Sequence, residues 1–462
     1  MIKRKNTFAG LLAFCLVATT PLSAQQQNHT IQGSWKGTIH APGGDLDLFF
    51  NIKAADGGIT ASLDVPAQYA KGIKATVARY EKDSLIIEFQ LLMSRYQGIY
   101  HRDSSFISGE WEQNSFSTPL KLKPSAAQAT VKHPQEPAKP YPYNEEEVSF
   151  QNTKDNVSLA GTLTWPKDRP AGPAVILISG SGPQNRDEEL LGHKPFLVLA
   201  DALTKRGIAV LRFDDRGVGK STGMFSKATT ADFSNDAEAA FNYLKTRKEV
   251  DPKKIGLAGH SEGGAIAPIV AARCKDVAFI VLLGGPGVKG SELLLLQAAA
   301  ISKASGMDKA EINKKQQANK RIYELAIKNS PGAADSIAEI LETLGIPEES
   351  ARVETHKILT PWVRYFLALD PVDYLSKTKC PVLALNGKKD VQVPYKENLE
   401  GIERDLKLAD NKQVTVKAYE GLNHLFQHCS SGLPGEYETI EETLSPEVLA
   451  DIGNWILKIN AR

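Results

Sequence analysis

The segment Gly259-His260-Ser261-Glu262-Gly263-Gly264 follows an apolar run, Ile255 to Ala258, and directly precedes a helical one, Ala265 to Arg273. This is a G-x-S-x-G pattern, in which a serine sits on a sharp turn between strand and helix. The flanking glycines allow close backbone approach, and the helix N-terminus faces developing negative charge. The chemistry suited to such a serine is attack on an acyl carbon. A serine hydroxyl is a poor nucleophile near neutral pH unless a base takes its proton and a third group holds that base in the right tautomer. Five residues alone are weak evidence, so the reading depends on the strand-turn-helix context and on partners further along the chain.

In this arrangement the chain order is serine, then acid, then histidine. Asp390 ends Asn386-Gly387-Lys388-Lys389-Asp390, immediately after the apolar run Pro381 to Leu385. His424 follows the run Val414 to Ala418 and the turn Glu420-Gly421-Leu422. Ser261, Asp390 and His424 are therefore the expected nucleophile, orienting acid and base. His428 is the runner-up base, farther from the strand end, and His260 beside the serine is expected to point elsewhere. Asp370 and Asp373 precede the strand that leads to Asp390 and are the weaker acids. His424 and His428 also form an H-x-x-x-H pair, but Leu425 stands where a zincin has its glutamate, so no metal is expected.

An oxyanion needs backbone N–H groups fixed before charge develops. Glu262, after the nucleophile, supplies one; Ser181, within Ser179-Gly180-Ser181-Gly182-Pro183, supplies the other, with Gly180 or Gly182 as neighbours one step out of register. A phosphate loop is the competing reading of such glycines, yet Gly217-Val218-Gly219-Lys220-Ser221 lacks the first glycine of a Walker motif, because Asp214 occupies its place.

These residues need a scaffold. From about residue 145 apolar strands alternate with amphipathic helices, which predicts a largely parallel sheet covered on both faces. The expected strands are Val148 to Gln151 and Val157 to Thr164 as a leading antiparallel pair, then Ala174 to Ser179, Gly207 to Phe213, Ile255 to Ala258, Val277 to Leu283, Pro381 to Leu385 and Gln413 to Ala418. Helices are expected over Phe196 to Lys205, Ala231 to Leu244, Ala265 to Arg273 and Pro446 to Ile459. The Leu-, Ala-, Lys- and Glu-rich insertion 287–373 reads as helices covering the strand ends, a cap dividing the core into 144–286 and 374–462. Its apolar stretches, Leu293 to Leu296 and Trp362 to Leu369, could wall an acyl pocket.

Upstream, residues 25–123 alternate short β-branched runs with turns, predicting an antiparallel β domain. Ile31-Gln32-Gly33-Ser34-Trp35 and Ile107-Ser108-Gly109-Glu110-Trp111 echo one another there. This domain is read as an accessory unit, with a ligand or glycan module as the alternative. A five-proline stretch, 124–143, reads as an extended connector. Residues 1–24 carry Lys3, Arg4 and Lys5 before an apolar run, Phe8 to Val17, too short to span a membrane, and read as a signal peptide cleaved near Ala24. The mature protein is thus expected to be secreted or periplasmic, without stable membrane insertion. Cys15 behind Phe14 leaves lipid anchoring as a minor alternative. Cys274, Cys380 and Cys429 are too few for a disulfide scaffold, and a Cys380–Cys429 bond and buried thiols both stay open. With 55 basic and 54 acidic residues, the formal charge of +1 argues against nucleic acid as a partner.

The segments Ser179-Gly180-Ser181-Gly182-Pro183-Gln184-Asn185-Arg186-Asp187 and Phe213-Asp214-Asp215-Arg216-Gly217-Val218-Gly219-Lys220-Ser221, together with the serine elbow, resemble those of two-domain α/β-hydrolase carboxylesterases related to serine aminopeptidase-like hydrolases. The resemblance covers about residues 145 to 462. It implies an α/β-hydrolase sheet with a helical cap, an acyl-serine intermediate, a small-molecule ester substrate and no cofactor. Ser179 stands where many relatives have histidine, which leaves the oxyanion donor open. Three functions compete. An esterase needs only the triad and the hole, and a peptidase releasing N-terminal residues needs acidic cap residues such as Glu339, Glu342, Glu348, Glu349 or Glu354 to hold an amine. A non-catalytic binding protein would use the hydrolase fold as scaffold and should not react at Ser261.

Overall fold

The computed structural model describes residues 31–461 except 42–43, 56, 66–69, 114–115 and 126–130. The predicted leader lies outside the described residues. The apolar runs after residue 144 form one eight-stranded sheet in the order β10-β11-β13-β12-β14-β15-β16-β17. Its strands are β10 (Asn144–Asn152), β11 (Val157–Trp165), β12 (Gly172–Ile178), β13 (Ala209–Phe213), β14 (Val250–His260), β15 (Ile280–Leu283), β16 (Val382–Gly387) and β17 (Val414–Tyr419). The pairs β10–β11 and β11–β13 are antiparallel, and every later pair is parallel.

Strand β12 shows why these runs are apolar throughout. Ala174, Ile176 and Ile178 enter one core with Phe241 and Ile266, while the alternate Val175 and Leu177 enter the other with Phe196, Ile452 and Ile456. Helices α1 (Pro195–Lys205) and α11 (Pro446–Asn460) cover the second face; α2 (Thr230–Leu244), α3 (Glu262–Arg273) and α10 (Tyr395–Leu408) cover the first. Helix α10 is absent from the sequence expectations, although Leu399, Ile402 and Leu406 bury one face of it at helical spacing. The chain leaves β12 for β13 on one side and comes back to β14 on the other, so the loops after β12 and β14 open side by side at a topological switch point.

Between β15 and β16 lie α4 (Gly290–Ala304), α5 (Lys309–Lys328), α6 (Ala333–Thr343), α7 (Glu348–Ile358), α8 (Pro361–Ala368) and α9 (Val372–Leu375). They share a small core of their own around Ile322, Ile337, Leu341 and Leu367. A second cluster joins Leu293, Phe366 and Leu369 of this insertion to Ala265 and Ile269 on α3. Helix α3 is thus the floor on which these helices rest.

The N-terminal strands β1 (Gly33–Ala41), β2 (Gly44–Ala55), β3 (Gly58–Val65), β4 (Ala70–Lys74), β5 (Val77–Glu81), β6 (Ser84–Phe89), β7 (Ser94–His101), β8 (Phe106–Gln113) and β9 (Phe116–Ser125) make a nine-stranded antiparallel sheet, ordered β4-β3-β2-β1-β9-β8-β7-β6-β5. The echoed tryptophans lie on β1 (Gly33–Ala41) and β8 (Phe106–Gln113), which flank β9 (Phe116–Ser125), and both are buried. Residues 131–143 do not run free between the sheets. Gln135 accepts from Thr443 N (2.6 Å) and donates to Leu444 O (2.7 Å), Glu136 pairs with Lys194, and Tyr143 donates to Asp201 (3.0 Å). Polar side chains between the prolines strap this stretch to the larger sheet. Cys274, Cys380 and Cys429 are unbonded thiols, and burial pushes that of Cys380 up to about 12. Among the described residues no helix is long and apolar enough to cross a membrane.

Candidate active site

Ser261 sits between β14 and α3 with φ 52° and ψ −118°, a strained backbone for a non-glycine residue. Its own N–H donates to Leu283 O (2.8 Å) and its carbonyl accepts from Gly264 N (2.8 Å), which pins the turn. The neighbouring glycines are required by space. A Cβ on Gly259 would lie 1.9 Å from Gly263 O, and one on Gly263 would lie 2.1 Å from Ile178 O at the end of β12.

Asp390 and His424 come from the loops after β16 and β17, next to the strand that ends beside Ser261. Asp390 Oδ1 accepts from Gln392 N and Val393 N, both at 2.8 Å, so its other oxygen is aimed by backbone donors. That oxygen, Oδ2, meets His424 Nδ1 at 2.7 Å, and both side chains are buried. With Nδ1–H given to the carboxylate, Nε2 is left as the proton acceptor. The ring passes over Gly284, where a Cβ would stand 3.2 Å from His424 Nδ1 and 3.4 Å from Asp390 Oδ2. Gly284 follows Leu283, the acceptor for Ser261 N, so the three expected residues converge on one strand end. No Ser261 Oγ–His424 hydrogen bond occurs among the described residues; such bonds commonly tighten only when substrate is bound. The histidine loop is held by Asn423, whose Oδ1 accepts from Leu425 N and Gln427 N, both at 3.0 Å.

The alternatives fall elsewhere. His428 is exposed and pairs with Glu442 (2.8 Å). Asp373 is exposed on α9, and Asp370 accepts from Val372 N in its own turn. His260 turns away from the serine and is buried: Nδ1 meets Glu188 Oε1 at 2.9 Å and Nε2 meets His424 O at 3.0 Å. Both partners are acceptors, so both ring nitrogens carry protons and the imidazole is charged. Burial opposes that charge, but Glu188 beside the ring, the His424 carbonyl and Asp390 together hold the pKa above the ordinary histidine value. Nothing in the local sequence singles out Glu188; only packing brings it to His260, 72 residues away.

The loop after β12 lies beside the elbow because Ile178 pairs with Gly259 across the two strands. Gly180 N donates to Glu188 Oε1 (2.7 Å), which takes Gly180 out of the oxyanion donors weighed for this loop. Among the described residues the backbone N–H groups of Ser181 and Glu262 meet no acceptor. Asp215 fixes the loop at two points, accepting from Ser179 Oγ (2.8 Å) and Gln184 N (2.9 Å). Burial pushes its carboxyl up to about 8, with the nearby Glu262 and Glu188 charges adding to the rise. Asp214 holds Arg186 through both carboxylate oxygens (2.8 to 3.0 Å). Asp214 and Asp215 thus hold the loop after β12 in place, a role hidden in the sequence because their partners lie about 30 residues upstream.

The family model described as serine aminopeptidase, S33, matches residues 194–428, just over half of the chain. Esterase EstD of Thermotoga maritima is 27% identical over 318 residues, covering 67% of this chain and 68% of the relative. Thiohydrolase apmlB of Arthrinium phaeospermum is 36% identical over 137 residues, 29% of this chain and 41% of that relative, so the chain spans well under half of its length. Among solved structures, an esterase of Pyrococcus furiosus aligns with TM-score 0.45 at 17% identity, covering 72% of this chain and 99% of its own. Est1E from Butyrivibrio proteoclasticus with bound ferulic acid aligns with TM-score 0.39 at 20% identity, covering 68% of this chain and all of its own.

Proposed function

Because the chain belongs to the serine aminopeptidase S33 family of hydrolases, we propose that it is a serine carboxylesterase acting on short or medium acyl esters. The observation that carries this reading is the buried Asp390–His424 pair beside the strained Ser261 turn. His424 Nε2 takes the Ser261 proton as Oγ attacks the ester carbonyl, and Asp390 stabilises the imidazolium that forms. The N–H groups of Glu262 and Ser181 receive the oxyanion. Collapse of the tetrahedral intermediate releases the alcohol, protonated by His424, and water then cleaves the acyl-serine by the same steps. Esters have better leaving groups than amides, so this machinery suffices without a cofactor.

One observation favours an aminopeptidase as the second reading. Asp335, Glu339 and Glu342 line one side of a cap groove, as an amine site requires; Arg352 and His356 on its other side weaken that case. A panel of p-nitrophenyl esters beside aminoacyl anilides separates the two. We expect ester turnover that Ser261→Ala lowers by about 10⁶-fold, with folding kept, and fluorophosphonate labelling lost in the same variant. Anilide cleavage without ester cleavage would establish the peptidase, and a wild type that neither turns over nor labels would make this a binding protein.

A further inference from the structure

The residue after the nucleophile carries a side chain that the reaction above does not use. Glu262 is 3% exposed, and its Oε1 accepts two hydrogen bonds from different parts of the molecule. Thr230 Oγ1, in the first turn of α2, donates at 2.6 Å; Trp362 Nε1, in the first turn of cap helix α8, donates at 2.9 Å. Trp362 is stacked on Phe366 (centroids 5.4 Å, interplanar angle 16°), and Phe366 packs with Ala265 and Ile269 one and two turns along the nucleophile helix. Burying a carboxyl costs free energy that an apolar side chain here would not, and burial raises this one to about 7. Glu262 and Asp215 both line a cavity of about 10 Å³, room for about one water molecule, that also touches Ser179 and Gly180. Each expected oxyanion donor therefore rests on a buried carboxyl: the loop of Ser181 on Asp215, and the peptide of Glu262 on its own side chain.

We propose that the Glu262 carboxyl is a positioning residue that fixes the oxyanion-donating peptide to cap helix α8 through Trp362, so that the placement of the cap and the strength of the oxyanion hole are one variable. An acyl chain seated against α8 then sets turnover as well as binding. This inference rests on the esterase reading. Because both donors converge on one oxygen, a glutamine that keeps that oxygen in place preserves the link, whereas alanine removes it.

The test uses the full chain with p-nitrophenyl acetate and p-nitrophenyl octanoate, with fluorophosphonate labelling to count competent Ser261. Trp362→Phe keeps the ring and removes the N–H. We expect it to lower kcat about tenfold on both esters with KM within about twofold of wild type, since displacement of a catalytic group by a fraction of an ångström has effects of that order. Glu262→Ala should lose at least as much, and Glu262→Gln should recover most of that loss. If Glu262→Ala does not fold, Trp362→Phe and Glu262→Gln carry the test. A Trp362→Phe kcat within twofold of wild type, a rise in KM with kcat intact, or a Glu262→Gln as impaired as Trp362→Phe would each overturn the proposal. Those outcomes are distinct from failure of the esterase reading, in which the wild type itself neither labels nor hydrolyses either ester.

Discussion

The two sheets of this molecule solve the problem of burial in opposite ways. The N-terminal sheet fills its interior with Phe50, Phe89, Tyr96 and Trp111 in mutual ring contact, and its buried polar side chains are few: Ser34, Asp64 and Ser94. The larger sheet buries a row of charged or titratable groups, Glu188, Asp214, Asp215, His260, Glu262, Asp390 and His424, where its loops leave the strands. Buried polar groups cost free energy and are kept where they are fully partnered or put to use. The larger sheet places them at the ends of β12, β13, β14, β16 and β17, and nearly all hold one another or the backbone of the elbow and its facing loop. The first core is filled by apolar and aromatic contact, whereas the second accepts the cost of buried polar groups that hold the geometry of its loops.

The sharpest way to break that comparison is to alter a polar group and look for a loss of activity that stability does not explain. Asp390→Asn keeps shape and volume but no longer favours the His424 tautomer with a free Nε2. We expect kcat to fall about 10⁴-fold with little change in thermal unfolding. A greater loss in Asp373→Asn would move the acid elsewhere. The converse experiment acts on the other sheet. Trp111→Ala should cost about 3–5 kcal/mol of that domain's stability, read by denaturant unfolding, while turnover per fluorophosphonate-labelled Ser261 stays within about twofold. A large fall in turnover would mean that the N-terminal sheet shapes the site.

Smaller effects sharpen the picture within the larger sheet. Phe366 packs between the other insertion helices and α3. If this cluster walls the acyl pocket, Phe366→Ala should shift the preferred acyl length on a p-nitrophenyl ester series, at about 1–3 kcal/mol per methylene gained or lost. An unchanged profile would move selectivity to the loops after β12 and β16. The smallest effect is on stability against pH. Asp215 holds its proton to about 8 and Glu262 to about 7 in the folded protein, against about 4 for such groups in an unfolded chain. Between those values these two sites bind more protons in the native state than in the unfolded one, so their contribution to stability falls as pH rises from about 4 to 8. Asp215→Asn removes its share of that slope, and its melting temperature should drop less than that of wild type between pH 5.5 and 8, by a few degrees. Parallel pH dependences in the two proteins would mean that Asp215 is already ionised when buried.

Local pattern along the chain encodes the elements and their order. Period-two and unbroken apolar runs specify strands and their two-sided burial, and turn glycines with a following helical run specify the Ser261 elbow. Strand ends followed by Asp390 and His424 then place these two residues in the loops after β16 and β17, in that order along the chain. Helix α10 was equally available in the spacing of Leu399, Ile402 and Leu406. Which buried polar group faces which is settled only once the segments have packed together. Gly180 gives its N–H to Glu188, the Glu188 charge holds the proton on His260, and Trp362 reaches Glu262 across 100 residues of chain. Such pairings depend on which segments pack together after the chain has crossed from β12 to β14 and folded six helices over the strand ends. No local period records them, because a hydrogen bond is chosen by the distance left between two side chains and not by their separation in sequence.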